Sequence, residues 1–340
     1  MIKNLKYYLF FLLVVLSVGC SCNHTNEIKK KAEKIPVELK IVRFEQALFE
    51  NKQNLPLLAK QYPQFFNFYC ERILSIKSKK DTASYWNALA GFVGNHDIQG
   101  LYDTTQKYYR NFEPYQKALH DAFQLHKYYL PHENIPTIYT YISEFGYGAI
   151  PSDSMLGIGL DLFLGEQYPY YRSPQIDFPN FLIQRCTPQN MVPSAMKVWA
   201  NYIIKADNQH RRLIDRMVEQ GKILYYLDKV MPDLNDTAKI GYTALQLQWC
   251  EWNSYKIWEF FIKHDLLYKS DMMEIGDFVN DSPVTPGMPP DAPGNIGSWT
   301  GWQIVKKYMN ENPKVSMEAL FNEPDGQKIL TESHYKPKKK

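Results

Sequence analysis

Hydrophobic and polar positions along this 340-residue chain repeat with helical spacing almost everywhere and with strand spacing in one stretch. The clearest helix sets Tyr115, Leu119, Ala122, Phe123, His126 and Leu130 on one face at intervals of three and four, and Pro131 ends it. Ahead of it, Val37 to Ile41 reads as a short strand, and Phe44 to Phe49, Asn54 to Ile76 and Asp97 to Asn111 read as helices. Pro63 breaks or kinks the second of these, and Asp81 is placed to cap a helix carrying Tyr85, Trp86, Leu89 and Phe92. Later segments with the same spacing are Pro179 to Cys186, Pro188 to Lys205, and His210 to about Met231 with Asp207 or Asn208 as its cap. They are followed by Ala238 to Glu251, Ser254 to Leu267, a helix through Met309, Ser316 to Phe321 and Gly326 to Glu332. Between them, Ser282 to Gly297 is dense in Pro and Gly and reads as an ordered irregular loop.

The exception is Ile135 to Tyr171. Ile138, Thr140 and Ile142 alternate with Tyr139 and Tyr141, and Leu156, Ile158, Leu160, Leu162 and Leu164 alternate with Gly157, Gly159, Asp161 and Phe163. Pro151-Ser152-Asp153-Ser154 supplies a turn between the runs, which predicts a β-hairpin or two neighbouring strands. One face of the second run is apolar and must pack. The other offers two glycines, where a backbone or a ligand can approach closely, and one acid, Asp161. With no internal repeat, the pattern predicts an α+β fold, mostly helical. A small β-hairpin or sheet at about 135–165 packs against the helices of a single globular domain, 37–335.

The N-terminus changes the picture by giving an address. Lys3 and Lys6 precede an apolar run, Tyr7 to Val18, that is too short to span a bilayer comfortably. It ends at Leu16-Ser17-Val18-Gly19-Cys20, which has the form of a bacterial lipobox, with Ser17 where leucine is usual. The expectation is a signal peptide over 1–19, lipid attachment at Cys20 (Cys22 being a weaker alternative), and a polar, basic tether over 20–36. Acyl chains contribute about 0.8 kcal/mol per buried CH₂, so several on one cysteine hold a protein to a membrane durably. Ser21 to Thr25 holds no acidic cluster, which fits the outer membrane of a cell envelope with the protein facing the periplasm.

Charge adds little. The net charge is +3, and Lys29, Lys30, Lys31, Lys34 and Lys338 to Lys340 read as solvated or membrane-proximal tails, so nucleic acid is not an expected partner. Cys70, Cys186 and Cys250 form no CxxC pair and read as buried free thiols in preference to a disulfide.

Candidate chemistry is sparse. No HExxH is present: in His132-Glu133-Asn134-Ile135-Pro136 a proline replaces the second histidine. His120, His126 and His132 are spaced by six, which keeps adjacent ones off a common helix face, and His126 reads as a core histidine bonded to backbone. There is no GxSxG, Walker loop or GxGxxG. Asp161, Glu219 and Glu251 are acids that would need to meet in space for glycoside chemistry. Trp299 and Trp302, beside the Pro/Gly loop, are candidates for stacking on sugars, although aromatic residues at helical spacing are mostly core.

Several blocks in order resemble the gliding motility lipoprotein GldB family of Bacteroidetes-type bacteria. They are the lipobox, Val42-Arg43-Phe44-Glu45, Ile135-Pro136 entering Tyr139 to Ser143, and Ile158-Gly159-Leu160-Asp161 with Leu164-Gly165. Beyond these lie Gln220-Gly221-Lys222 with Leu224-Tyr225-Tyr226, Gln246 to Cys250, and Pro293-Gly294 followed by Gly297 and Gly301 to Val305. That family resembles, more distantly, zincin-like metallopeptidases. The resemblance implies a scaffold in which the strand Leu156 to Leu164 edges a cleft and the helix Pro188 to Lys205 stands where HExxH belongs. That helix contains no His, Asp or Glu, so the zinc ligands and the general base are missing. The expectation is a pseudo-enzyme with no catalytic residues, metal or cofactor, and a vestigial cleft at Asp161, Glu219, Tyr225, Trp299 and Trp302. Its implied partners are the membrane, through the lipid, and envelope proteins of the gliding or secretion machinery. An active metal-dependent hydrolase and a glycan-binding lipoprotein are the alternatives.

Overall fold

The computed structural model describes residues 26–76, 83–173, 178–204 and 211–339. The expected signal peptide, Cys20, Cys22 and the proposed caps Asp81, Asp207 and Asn208 lie outside them.

Four short strands form one mixed sheet: β1 (Ile41–Arg43), β2 (Thr137–Tyr141), β3 (Ala149–Ser152) and β4 (Met155–Gly159), in the order β1-β2-β4-β3. β1 and β4 run parallel to β2, and β3 is antiparallel to β4. The two alternating runs are therefore parallel neighbours. The turn at Asp153-Ser154 closes a different hairpin, β3 to β4. One face of the sheet is the expected apolar layer, with Ile138, Thr140, Leu156 and Ile158 buried. On the other face Tyr139 lies opposite Gly157 and Tyr141 opposite Gly159. A Cβ on Gly157 would come within 2.8 Å of the Tyr141 ring, and one on Gly159 within 2.0 Å of the Tyr147 carbonyl oxygen. The space above these glycines is thus filled from within the chain.

Two expectations are corrected here. The run Leu156 to Leu164 is not one strand: it leaves the sheet at Gly159, and Leu160–Phe163 forms a 3-10 turn. The departure is held by Asp161, whose carboxylate accepts the backbone N–H groups of Ser143 (3.0 Å) and Phe145 (2.7 Å). Nor is this run an edge. β4 sits between β2 and β3, which leaves β3 and β1 as the sheet's edges.

The first group of helices comprises α1 (26–32), α2 (Phe44–Glu50), α3 (Leu55–Gln61), α4 (Pro63–Phe68), α5 (Ala83–Gly94), α6 (His96–Tyr108) and α7 (Glu113–Tyr129). Pro63 separates α3 from α4 by starting the second, where a proline's missing N–H costs nothing. The stripe predicted for α7 is buried at Leu119, Ala122, Phe123 and His126. At the β1–α2 junction, buried Glu45 accepts from Arg43 (2.6 Å) and Thr140 (2.5 Å), and the Arg43 guanidinium lies 4.5 Å from the centre of the Phe112 ring. α1 changes the expected tether. Ile28 and Ala32, one turn apart, face the body, and Lys29 bonds Asp233, so the segment is docked from residue 26 onward.

The second group comprises α8 (Asn180–Ile183), α9 (Met191–Ile203), α10 (Leu213–Val230), α11 (Asp236–Ile240), α12 (Ala244–Trp252), α13 (Ser254–Lys263), α14 (Met272–Val279), α15 (Ile296–Glu311), α16 (Met317–Asn322) and α17 (Gly326–Ser333). The helix predicted over Ala238 to Glu251 is divided at Gly241, whose φ of +80° ends α11. Thr243 and Gln246 then cap α12 reciprocally. α10 and α15 form the core of this half. They cross so closely that a Cβ on Gly301 would fall 1.7 Å from the Met217 carbonyl oxygen. The Pro/Gly loop before α15 is ordered by a bridge between Val284 and Pro293 and by Tyr242, whose hydroxyl donates to the Gly294 carbonyl (2.7 Å). Cys70, Cys186 and Cys250 are buried, and no disulfide joins any two of them. No helix among the described residues is long and apolar enough to cross a membrane.

Candidate functional site: a cavity between the sheet edge and helix α9

A cavity of about 760 Å³ lies beside edge strand β3, with the 3-10 turn at Leu162 and Phe163, α9, and the segment from Asn235 to Thr243 as walls. This is the size range of small-molecule sites. α9 and its N-cap Asn190 present one helical stripe to it, Asn190, Pro193, Ser194, Lys197, Val198 and Asn201, at alternating intervals of three and one. The opposite stripe, Met191, Val192, Ala195, Met196, Trp199 and Ala200, is buried in the protein. The amphipathic pattern of α9 thus turns its few polar residues toward the cavity.

Charge on the cavity wall is unevenly compensated. Arg185 bonds Asp281 (2.6 Å) and donates from Nε to the Gly241 carbonyl (3.2 Å). Burial would raise the Asp281 carboxyl, but the Arg185 and Lys197 charges hold it below the usual carboxylate range. On the far wall, Lys239 is paired with Asp228 (2.8 Å) and Asp236 (2.9 Å). Lys306 lies 3.6 Å from the centre of the Trp302 ring, and the Trp302 indole donates to Asp228 (2.8 Å). Those two lysines and two acids balance. Lys197 does not balance. It is half-buried where it borders the cavity and, among the described residues, has no hydrogen-bond or ion-pair partner. Desolvation pulls its ammonium below the ordinary lysine range, which Asp281 offsets in part and Arg185 reinforces. Cys186 also lines the cavity, but burial pushes its thiol up to about 12, so at neutral pH it is an inert thiol and not a nucleophile.

The five residues expected to form a vestigial cleft are not brought together, and none lines this cavity. Asp161 is fully buried at the end of the sheet. Burial raises its carboxyl to about 6, against the pull of the two backbone donors, and its backbone carbonyl accepts from the Tyr171 hydroxyl (2.8 Å). Glu219 on α10 is ion-paired with Arg211. Tyr225 is half-buried beneath Lys229, whose Nζ is 4.9 Å from the ring centre. Trp299 and Trp302 are buried in α15. Neither indole is presented for sugar stacking, because this stretch of α15 packs its whole circumference. Glu251 is exposed on α12, so the three acids considered for glycoside chemistry each have a separate setting.

The histidines are also apart. His126 is in the core as expected, with its Nδ1 paired to the Tyr226 hydroxyl (2.9 Å); burial lowers the imidazole to about 3. His132 is exposed. Among the described residues, no group of three or more His, Cys, Asp or Glu side chains is placed to hold a metal ion. Arg185, Lys197 and Asp281 escaped the sequence reading. The one signal available was the polar stripe of Asn190, Ser194, Lys197 and Asn201 in an otherwise apolar helix.

A family model described as Gliding motility protein GldB matches residues 25–337, which include the whole sheet, α9 and every wall of the cavity. The chain belongs to the GldB family. No curated protein and no solved structure gave a match. Membership in the GldB family associates the chain with gliding motility and with envelope lipoproteins.

Proposed function

We propose that this chain is a non-catalytic, lipid-anchored protein of the cell envelope, held in the outer membrane facing the periplasm. There it supports gliding or the associated protein-secretion machinery through protein contacts. The observation that carries the non-catalytic part is the cavity-facing stripe of α9, which holds Asn, Pro, Ser, Lys and Val where a metallopeptidase needs two histidines and a glutamate. The descent from a zincin-like scaffold is supported by the packing of α9 against edge strand β3. Asp281, the one acid on the cavity wall among the described residues, is committed to Arg185 and is not free to act as a base.

Anchoring is supported by the lipobox and by the docking of α1. Only five residues separate Cys20 from Asn26, six steps of chain with a reach of at most about 20 Å, so a lipid on Cys20 keeps the folded body close to the bilayer. Two measurements test the proposal. Cys20→Ala is expected to abolish lipid labelling and release the protein from membranes; retention with labelling unchanged would sink the anchor. Metal analysis of the domain beginning after Cys22, purified without chelator or affinity-tag metal, is expected to find no stoichiometric zinc. Stoichiometric zinc would overturn the pseudo-enzyme reading.

A further inference from the structure

Lys197 borders the cavity and, among the described residues, has no hydrogen-bond or ion-pair partner. Several interior charges are compensated by the chain itself: Lys239 by two aspartates, Glu45 by Arg43, Asp161 by two backbone donors. That is the expected behaviour, since an uncompensated charge away from water is costly. At the cavity, Arg185 already occupies Asp281, and Lys239 opposite is matched by Asp228 and Asp236, which leaves one surplus positive charge among the described residues. Around it stand the amides of Asn190, Asn201 and Gln220 and apolar surface from Leu162, Phe163 and Val198. Such a site is complementary to a single negative charge carried on an apolar body.

We infer that the cavity beside β3 and α9 is a binding site for an organic monocarboxylate, with Lys197 receiving the carboxylate and the apolar wall receiving the rest of the ligand. A dianion such as phosphate would overcompensate the single free charge and find no use for the apolar wall. The shared chemistry has two sources, a small free acid or the C-terminal end of a peptide. The site is independent of whether Cys20 carries lipid and goes beyond the scaffolding role proposed above.

The test is thermal denaturation of the domain after Cys22 with hexanoate, 3-phenylpropionate and N-acetyl-Ala-Ala-Phe, each at millimolar concentration and each beside its primary amide. The inference requires that at least one acid raise the melting midpoint while its amide does not. A shift confined to the tripeptide acid identifies a peptide end as the source, and a shift with the simple acids identifies a small molecule. In Lys197→Met the acid's affinity should fall roughly ten- to a hundredfold, the loss of one charge-assisted contact. The unliganded variant should melt at or above the wild-type midpoint, by roughly 1–3 °C, because an uncompensated charge has been removed. Three results would overturn the inference: no acid outperforms its amide, inorganic phosphate matches the best acid, or the unliganded variant melts well below wild type or fails to fold. The last would mark Lys197 as a structural residue.

Discussion

The end of the sheet and the cavity beside it each hold a charge removed from bulk water, and they treat it in opposite ways. Asp161 is enclosed, bound by two backbone N–H groups of the β2–β3 connection, and used to turn the chain out of the sheet after Gly159. Lys197 faces open space and is held by nothing among the described residues. A charge whose hydrogen-bond partners are the protein's own backbone is part of the architecture. One left with cavity in front of it is available to something else. The acid that looked chemically interesting in the sequence is the architectural one.

Gly159→Val would drive a side chain into the Tyr147 carbonyl and should cost about 3 kcal/mol or more, read by urea denaturation. A loss below 1 kcal/mol would mean that the strand end yields easily and Asp161 does not fix it. Asp161→Ala strands two buried N–H donors and should cost about 2 kcal/mol, while Asp161→Asn, which still offers an acceptor, should cost clearly less. Equal losses in the two variants would contradict the assigned role.

The pH dependence sharpens the contrast further. Because burial raises Asp161 to about 6, its contribution is fully present below the unfolded value near 3.9 and is lost as pH rises through 6. His126, lowered to about 3, has the opposite sign: the unfolded imidazole gains its proton below about 6.5, so its contribution is lost as pH falls toward 3. Going from pH 4 to pH 7, the stability difference between wild type and Asp161→Asn should therefore move toward the variant by on the order of 2 kcal/mol. A difference constant across that window would show that Asp161 does not titrate there. The smallest effect belongs to the cavity: Lys197→Met should change stability by under about 1 kcal/mol, as a gain. A loss as large as that of Asp161→Ala would erase the distinction between the two regions.

Much of the helical framework was legible before the fold was seen. The α7 stripe, the break at Pro63 and the buried thiols depend on nearest neighbours along the chain, and they stand where the spacing put them. The strand stretch was legible only in part. Leu160, Leu162 and Leu164 kept the alternation of a half-exposed strand, yet Asp161 and Phe163 between them are also buried, so the alternation carried no information about faces there. At Trp299 and Trp302 the neighbouring Pro and Gly suggested surface, whereas the close crossing of α15 over α10 placed both indoles inside. The α1 segment read as tether because lysines dominate it, although Ile28 and Ala32, two apolar residues one turn apart, were enough to dock it.

By itself the sequence determined what is local or copied from ancestry: helix faces and breaks, the form of a lipobox at Cys20, the family, and the lack of a histidine–glutamate constellation on the segment that became α9. Only the tertiary structure decided which distant residues share a space. It parted Asp161, Glu219, Tyr225, Trp299 and Trp302, and it set Lys197 across from an Arg185–Asp281 pair contributed by segments before α9 and after α14. The physical reason is one of range. Periodicities of 2 and 3.6 are written by each residue's immediate neighbours, whereas the partner of a buried charge is chosen by how whole helices pack, which no single segment encodes.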